Sequence, residues 1–385
     1  MTCSTAIVRR LGLFLVFFGI VSSILFAAHH YLYARLVVAP SLGDTWTHAG
    51  AATFVIAGFT APAGMIASRL LPREHGRWVA AAAYFWLGTL LLLLTTVGAS
   101  ELVRWGLGHF VPEPDLSRAL ALGVVGVGGC AVLYGVTSAL GRVAVKRVDV
   151  ALARLPASLS GFKLVQLSDL HIGPMLGRSW LEDIVARVND LDPDVVAITG
   201  DLVDGSVHRL RDQVAPLAAL RAKHGVYFVT GNHEYYSGVD AWIAELSRLG
   251  IRTLRNERVS IGEGADSFDL AGVDDWRAFG GDHGRDLARA VRDRDPDREL
   301  VLLAHQPKQI HEAAEHGVGL QLSGHTHGGQ IFPWTLFVRL DQPFIAGLGR
   351  HRDTQIYVSR GTGYWGPPMR VGAPAEITLL RLQRE

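Results

Sequence analysis

Seven side chains in this sequence have the types and spacing to hold metal ions. Asp169 and His171 are separated by Leu170 alone, Asp201 follows Gly200, and Asn232 follows Gly231. His305 stands alone, and His325 and His327 flank a threonine. Each set comes directly after a short apolar run that reads as a strand: residues 163–168, 195–199, 226–230, 300–304 and 320–323. In α/β sheets, ligands and metals gather just beyond the carboxyl ends of strands. Imidazole, carboxylate and amide oxygen together suit divalent ions of intermediate softness. Two such ions roughly 3.5–4 Å apart clamp a phosphoryl group, generate a hydroxide and stabilise the leaving oxygen. Asp201 is placed to be the carboxylate that both ions share. His233, beside Asn232, is placed to protonate a leaving alkoxide. Gly200, Gly231, Gly324, Gly328 and Gly329 flank the set and allow tight turns and close backbone approach.

Composition narrows the chemistry. The formal net charge is +1 over 385 residues, so no strong field points to nucleic acid. Only two cysteines occur, Cys3 and Cys130, which leaves neither a disulfide framework nor a thiolate zinc site. A metal centre must therefore use His, Asp, Glu and Asn, and the ions that fit are Mn, Fe, Zn or Mg. The hydrophobic fraction is 49%, and the excess lies in the first 145 residues.

That excess is organised as four apolar stretches, residues 11–28, 49–71, 78–99 and 119–140. Each has about the 20 residues needed to cross a hydrocarbon core. A cleaved signal peptide explains the first but not the other three. Arg9, Arg10, Arg69, Arg73, Arg77, Arg142, Lys146 and Arg147 fall on one side of the spans, and Arg35, Arg104 and Arg118 on the other. This asymmetry places both termini in the cytoplasm. The expected organisation is a transmembrane region over 1–145, a basic linker over 146–160 and a catalytic domain over 161–385. His29 and His30 are expected at a span end rather than on a metal.

Within the catalytic domain, helical spacing is expected over 178–189, 209–223, 240–249 and 306–316, with further strands over 268–273, 355–359 and 376–382. Strands alternate with helices early and follow one another later. This pattern predicts an α/β fold with two packed sheets and helices outside.

The ordered set Asp-x-His, Gly-Asp, Gly-Asn-His-Glu, a lone His and Gly-His-x-His resembles the calcineurin-like metallophosphoesterase family. The resemblance covers about residues 160–385 and is nearest to the membrane-associated branch, transmembrane proteins with a metallophosphoesterase domain. It implies a two-sheet α-β-β-α sandwich, here preceded by the all-α transmembrane region, and a two-metal site. Carried over by motif, Asp169, His171, Asp201 and His327 bind the first metal. Asp201, Asn232, His305 and His325 bind the second, and His233 contacts the phosphate or leaving group. The two divalent ions are Mn, Fe or Zn, with manganese as the working choice.

Other residues take plainer roles. Asp204 is expected to be a loop or capping residue, Glu234 to orient the loop that carries His233, and Asp274-Asp275 to form a turn or, second, to approach the site from a neighbouring loop. Arg360 and Arg370 are equally suited to a phosphate contact and to a surface role. The apolar residues between Ile331 and Ile345 read first as core, and second as an apolar lip beside the metals that admits an acyl chain or dips into the bilayer.

The function expected is hydrolysis of phosphate ester or diphosphate bonds by a multi-pass protein of the plasma membrane, acting on a lipid-linked substrate from the cytoplasmic face. The lipid bilayer is its other expected partner; the oligomeric state is left open. Two alternatives stay open: a tethered phosphodiesterase or phosphatase for soluble nucleotides or phosphoproteins, and a non-catalytic membrane sensor with a retained metal fold.

Overall fold

The computed structural model describes residues 3–278 and 283–385. It divides into two units, Met1–Tyr134 and Gly135–Glu385. The first unit holds long helices: α1 (Cys3–Tyr33), α2 (Asp44–Leu70), α3 (Arg73–Leu107) and most of α4 (Asp115–Leu140). Among the described residues, four segments are long and apolar enough to cross a membrane: Phe18–Val38, Asp44–Ser68, Glu74–Leu107 and Asp115–Leu140. Leu32, Leu90, Val97 and Val124 form their buried centre. His29 belongs to this packing: its Nδ1 donates to the Leu25 carbonyl at 2.7 Å, and its Nε2 accepts from the Trp86 indole at 2.9 Å. It is a satisfied interior histidine, not a ligand.

The second unit is built on two six-stranded sheets. The first contains β1 (Ala144–Leu152), β2 (Phe162–Leu167), β3 (Val195–Ile198), β4 (Val226–Phe228) and β5 (Arg252–Thr253). The second contains β6 (Glu257–Glu263), β7 (Asp266–Gly272), β8 (Leu300–Leu303), β9 (Leu320–Ser323), β10 (Gly347–His351) and β11 (Thr354–Val358). The last strand, β12 (Glu376–Arg384), returns to the first sheet, whose order is β1-β12-β2-β3-β4-β5; the second runs β10-β11-β9-β8-β7-β6. The strands that precede candidate ligands are parallel to their ligand-bearing neighbours, β2 to β3 to β4 and β8 to β9, so their carboxyl ends share one edge of each sheet.

Period-two alternation explains the layers. Phe162, Leu164, Val195, Ala197, Val301 and Leu303 face the core between the sheets. Val165, Leu167, Val196 and Ile198 face outward onto α5 (Arg178–Asn189), α6 (Val207–Val214) and, after the short α7 (Asn232–Ser237), α8 (Val239–Arg248). The outer face of the second sheet meets α9 (Leu287–Ala290) and α10 (Ile310–Glu315). In α5 the buried residues Leu181, Ile184, Val185 and Val188 recur at helical spacing and form one apolar stripe. This is the two-sheet sandwich with helices outside that the sequence implies, preceded by helices of span length.

The secondary structure and packing differ from the sequence reading most in three places. Residues 146–160 do not form a linker. Ala144–Leu152 is a full edge strand, paired in parallel with Glu376–Arg384, and only three residues separate it from α4. Its alternation drives this: Val150 and Leu152 are buried between the sheets, while Lys146 lies 3.9 Å from Glu376 and over the Tyr357 ring. The helix expected over 209–223 stops at Val214, where Pro216 converts the chain to a 3₁₀ turn over Ala215–Ala219. The stretch after Ile331 is not core. Phe332, Trp334, Leu336, Phe337 and Leu340 are all half exposed or more, on and around a short helix, α11 (Trp334–Val338).

Candidate metal centre

The five strand ends converge. Asp169 and His171 follow β2, Asp201 follows β3, Asn232 opens α7 after β4, His305 follows β8, and His325 and His327 follow β9. Asp201 lies among three imidazoles. Its Oδ2 is 3.2 Å from His305 Nε2 and 3.9 Å from both His171 Nε2 and His233 Nε2. Asp169 Oδ1 lies 3.5 Å from His327 Nε2. Among the described residues, three groups have ligand atoms close enough to hold an ion: Asp169, His171 and His327; His171, Asp201 and His233; and Asp201, His305 and His325. Asp201 and His171 each belong to two of the groups.

The backbone shows what this convergence costs. Asp169, His171, Asp201, His325 and His327 all have φ between 46° and 70°, the left-handed region that residues with a Cβ avoid. Each such residue stores about 1–3 kcal/mol, which the surrounding hydrogen bonds must offset. Two close approaches are open only to glycine. A Cβ on Gly231 would overlap the Asp201 carboxylate, and one on Gly324 would overlap Ser168 Oγ and Asp169 Oδ2.

A layer of buried groups fixes the orientation. The Glu234 carboxylate accepts from Gly231 N at 2.7 Å, Asp201 N at 3.0 Å and Leu202 N at 2.9 Å, so it ties the β3 and β4 loops together. This is the loop-orienting role expected of it. The Asp201 carboxylate accepts from His233 N at 2.9 Å, and that of Asp169 accepts from His325 N at 3.0 Å. His305 Nδ1 faces the Thr199 carbonyl at 2.7 Å, which can only accept, so the ring carries a proton there and turns Nε2 toward Asp201.

Asp204 is the main surprise. Its Oδ1 receives His171 Nδ1 at 3.1 Å and His233 Nδ1 at 2.6 Å, so one carboxylate sets the tautomer of both rings. It is not a capping residue. Its signal was its position three residues after Asp201, within the same loop. Arg370 is also misjudged from sequence. Fully buried, it donates to the carbonyls of Ala373 and Gly363 and approaches His327 Nδ1 at 3.4 Å. Arg360 instead pairs with Glu376 at 3.1 Å. Asp274 and Asp275 are buried rather than in an open turn, paired with Arg255 at 2.7 Å and with Gln306 at 3.0 Å.

Electrostatics follow from burial and crowding. Burial pushes the Asp169 carboxyl up. Burial alone would also raise Asp201, but the imidazoles of His305, His233 and His171 hold it well below the usual carboxylate range. His233 is disfavoured as a cation by burial, yet the Asp201 and Asp204 carboxylates raise it to about 9. Burial and the neighbouring His305 lower His325 to about 3. Burial and the Asp201 charge lift Glu234 to about 7.

The donor set fits divalent ions. His171 Nε2 and His327 Nε2 face each other at 3.1 Å, and His305 Nε2 faces His325 Nδ1 at 3.2 Å. The buried Oδ1 of Asn232 has no hydrogen-bond partner among the described residues. Ring nitrogens converging on buried carboxylates, with an orphaned amide oxygen beside them, form a donor set that divalent cations satisfy.

Comparison with known proteins agrees with this geometry. The sequence model of the calcineurin-like phosphoesterase family matches residues 162–329. A transmembrane protein with metallophosphoesterase domain from Bos taurus is 43% identical over 325 residues, covering 78% of this chain and 73% of that protein. The chain belongs to the calcineurin-like phosphoesterase family. A second transmembrane protein with metallophosphoesterase domain, from Danio rerio, is 42% identical, covering 66% of this chain and 60% of that protein. An uncharacterized metallophosphoesterase of Campylobacter jejuni is 33% identical over 96% of this chain and 99% of its own length. Family membership makes the second unit a hydrolase of phosphoric ester bonds and implies divalent metal ions. The span-length helices and the transmembrane relatives make the chain a membrane protein.

Proposed function

We propose that this protein is a multi-pass, membrane-anchored phosphoesterase that uses two divalent ions, manganese in the first instance, on a lipid-linked phosphate ester or diphosphate. The observation that carries the reading is Asp201: a buried carboxylate with three imidazole nitrogens within 3.9 Å and an orphaned amide oxygen in the adjoining loop. In this reading Asp169, His171, Asp201 and His327 hold one ion, and Asp201, Asn232, His305 and His325 hold the other. When bound, such ions polarise phosphoryl oxygens and lower the pKa of water.

The chain's own residues do the rest. Asp204 engages Nδ1 of His233, so Nε2 is the ring atom turned to the cluster, where it passes a proton to the departing alkoxide. Asp204 holds His171 in the tautomer that offers Nε2, and the Thr199 carbonyl does the same for His305. Trp365 and Tyr236 stand edge-on to the His233 ring, each with centroids 5.7 Å away, and restrict its swing.

The excess of Arg and Lys on one side of the spans favours a cytoplasmic domain at the plasma membrane. A lipid-linked substrate is supported by the direct run from α4 into β1, which leaves no long tether. The test is hydrolysis by the purified full-length protein with Mn²⁺, comparing bis-p-nitrophenyl phosphate, p-nitrophenyl phosphate, phospholipids and lipid diphosphates. Turnover that is lost in Asp201→Asn and is highest on a lipid supports the reading. Equal turnover of soluble diesters or nucleotides replaces the lipid substrate with a soluble one. Two bound ions without turnover on any of them point to a sensor.

A further inference from the structure

The apolar side chains after the last metal motif are exposed, and the segment they pair with, 369–371, is hydrogen-bonded to Gly135 near the end of α4. Phe332, Trp334, Leu336, Phe337 and Leu340 have 50% to 85% of their surface open. Contiguous exposed apolar side chains of this size mark a binding surface rather than ordinary surface scatter. Trp334 and Phe337 rest on each other, with ring centroids 5.3 Å apart, and Arg339 stands exposed beside them.

What covers this patch follows from its neighbours in the second unit. Ile331 bridges to Val371 and Gly372, Phe332 N donates to Val371 O at 3.0 Å, and Val371 N donates to Gln330 O at 2.8 Å. The 369–371 segment is in turn fastened to α4. Arg370 N donates to Gly135 O at 2.8 Å, and a Cβ on Gly135 would meet Val371 at 3.0 Å and Met369 at 3.3 Å. Gly135 lies five residues before the end of the span Asp115–Leu140, about 7.5 Å along the helix axis. The strap that carries the patch is therefore tied, through residues 369–371, to a span helix more than one turn inside its apolar end. Aromatic rings with a flanking arginine are the composition of a segment that lies in the headgroup layer.

The same strap reaches the metal cluster. Thr335 Oγ1 donates to Gly328 O at 3.2 Å, in the turn that holds His327. Gln330 Nε2 donates to the Trp365 carbonyl at 2.9 Å, and the Trp365 ring meets that of His233. We infer that Phe332–Leu340 is a bilayer-docking segment, which inserts its aromatic and leucine side chains into the headgroup region and sets the cluster beside the lipid surface. The inference rests on the reading of α4 as a membrane span, and it requires no catalytic activity.

The test uses the full chain in liposomes of phosphatidylcholine and phosphatidylglycerol, in a Cys3→Ser/Cys130→Ser background. An environment-sensitive fluorophore is attached at Phe337→Cys and, separately, at Asp297→Cys, an exposed position on the β7–β8 side of the domain. The expected result is a blue-shifted emission at 337 that is lost when lipids carry a nitroxide near the headgroup, with no loss at 297. A water-like, unquenched emission at 337 overturns the proposal. So does a blue shift without lipid quenching, since it means that protein, such as a second copy of the chain, covers the patch. A second readout is the Trp334→Ser/Phe337→Ser variant. Its turnover of a bilayer-borne ester is expected to fall about tenfold through lost interfacial contact, with turnover of a small soluble ester unchanged. Equal losses on both overturn the proposal. Lipid quenching at 337 in a protein that hydrolyses nothing leaves the docking segment standing and removes the phosphoesterase reading instead.

Discussion

The two sheets feed one cluster with different chemistry. The first, through the loops after β2, β3 and β4, supplies both carboxylates, the amide, His171 and His233, and it backs them with two further carboxylates, the buried Glu234 and the partly exposed Asp204. The second, through the loops after β8 and β9, supplies only imidazoles. These are fixed by neutral or cationic groups: the Thr199 carbonyl behind His305 and the Arg370 guanidinium beside His327. Most of the negative charge sits on the first side; the second adds the buried Asp275, held by Gln306 next to His305. A donor set that reads as seven equal ligands in the sequence is thus two half-sites with different supports.

That division can be broken one residue at a time. The largest effect is expected from Asp201→Asn, which keeps the shape but removes the charge shared by both sides. Bound metal should be lost and turnover should fall by about 10³-fold or more, as for a removed electrostatic anchor; metal analysis and esterase assay check it. Asp204→Asn should come next. An uncharged amide oxygen is a weaker acceptor for the two Nδ1–H groups of His171 and His233, and turnover should fall roughly 10–100-fold, with more metal retained than in Asp201→Asn. Glu234→Gln tests the scaffold alone. An amide in place of the carboxylate meets backbone N–H groups with its own N–H, and urea unfolding should show a loss of about 1–3 kcal/mol. The smallest effect is expected on the imidazole side. Arg370→Met should weaken metal affinity about tenfold through a looser His327. A titration in which Arg370→Met costs as much as Asp204→Asn would erase the proposed difference between the halves.

The sequence exposes the ligands because each sits in a short motif just after an apolar run, so spacing along the chain equals spacing in the site. Asp204 escapes because its partners His233 and His171 are 29 and 33 residues away, a relation that only folding creates. The strand Ala144–Leu152 escapes because Lys146 and Arg147 interrupt its alternation next to a span, where basic residues ordinarily mark a stop. Composition also cannot distinguish an apolar segment that fills a core from one that faces lipid. Phe332, Trp334, Leu336, Phe337 and Leu340 are not core in this fold, since each is half exposed or more.

The measurement closest to the central claim is paramagnetic resonance of the full-length protein loaded with Mn²⁺. If Asp201 is shared between two ions, the spectrum should be that of an exchange-coupled pair with two ions per chain, and Asp201→Asn should abolish the coupling. A single uncoupled ion per chain in the wild type, or coupling that survives Asp201→Asn, would contradict it.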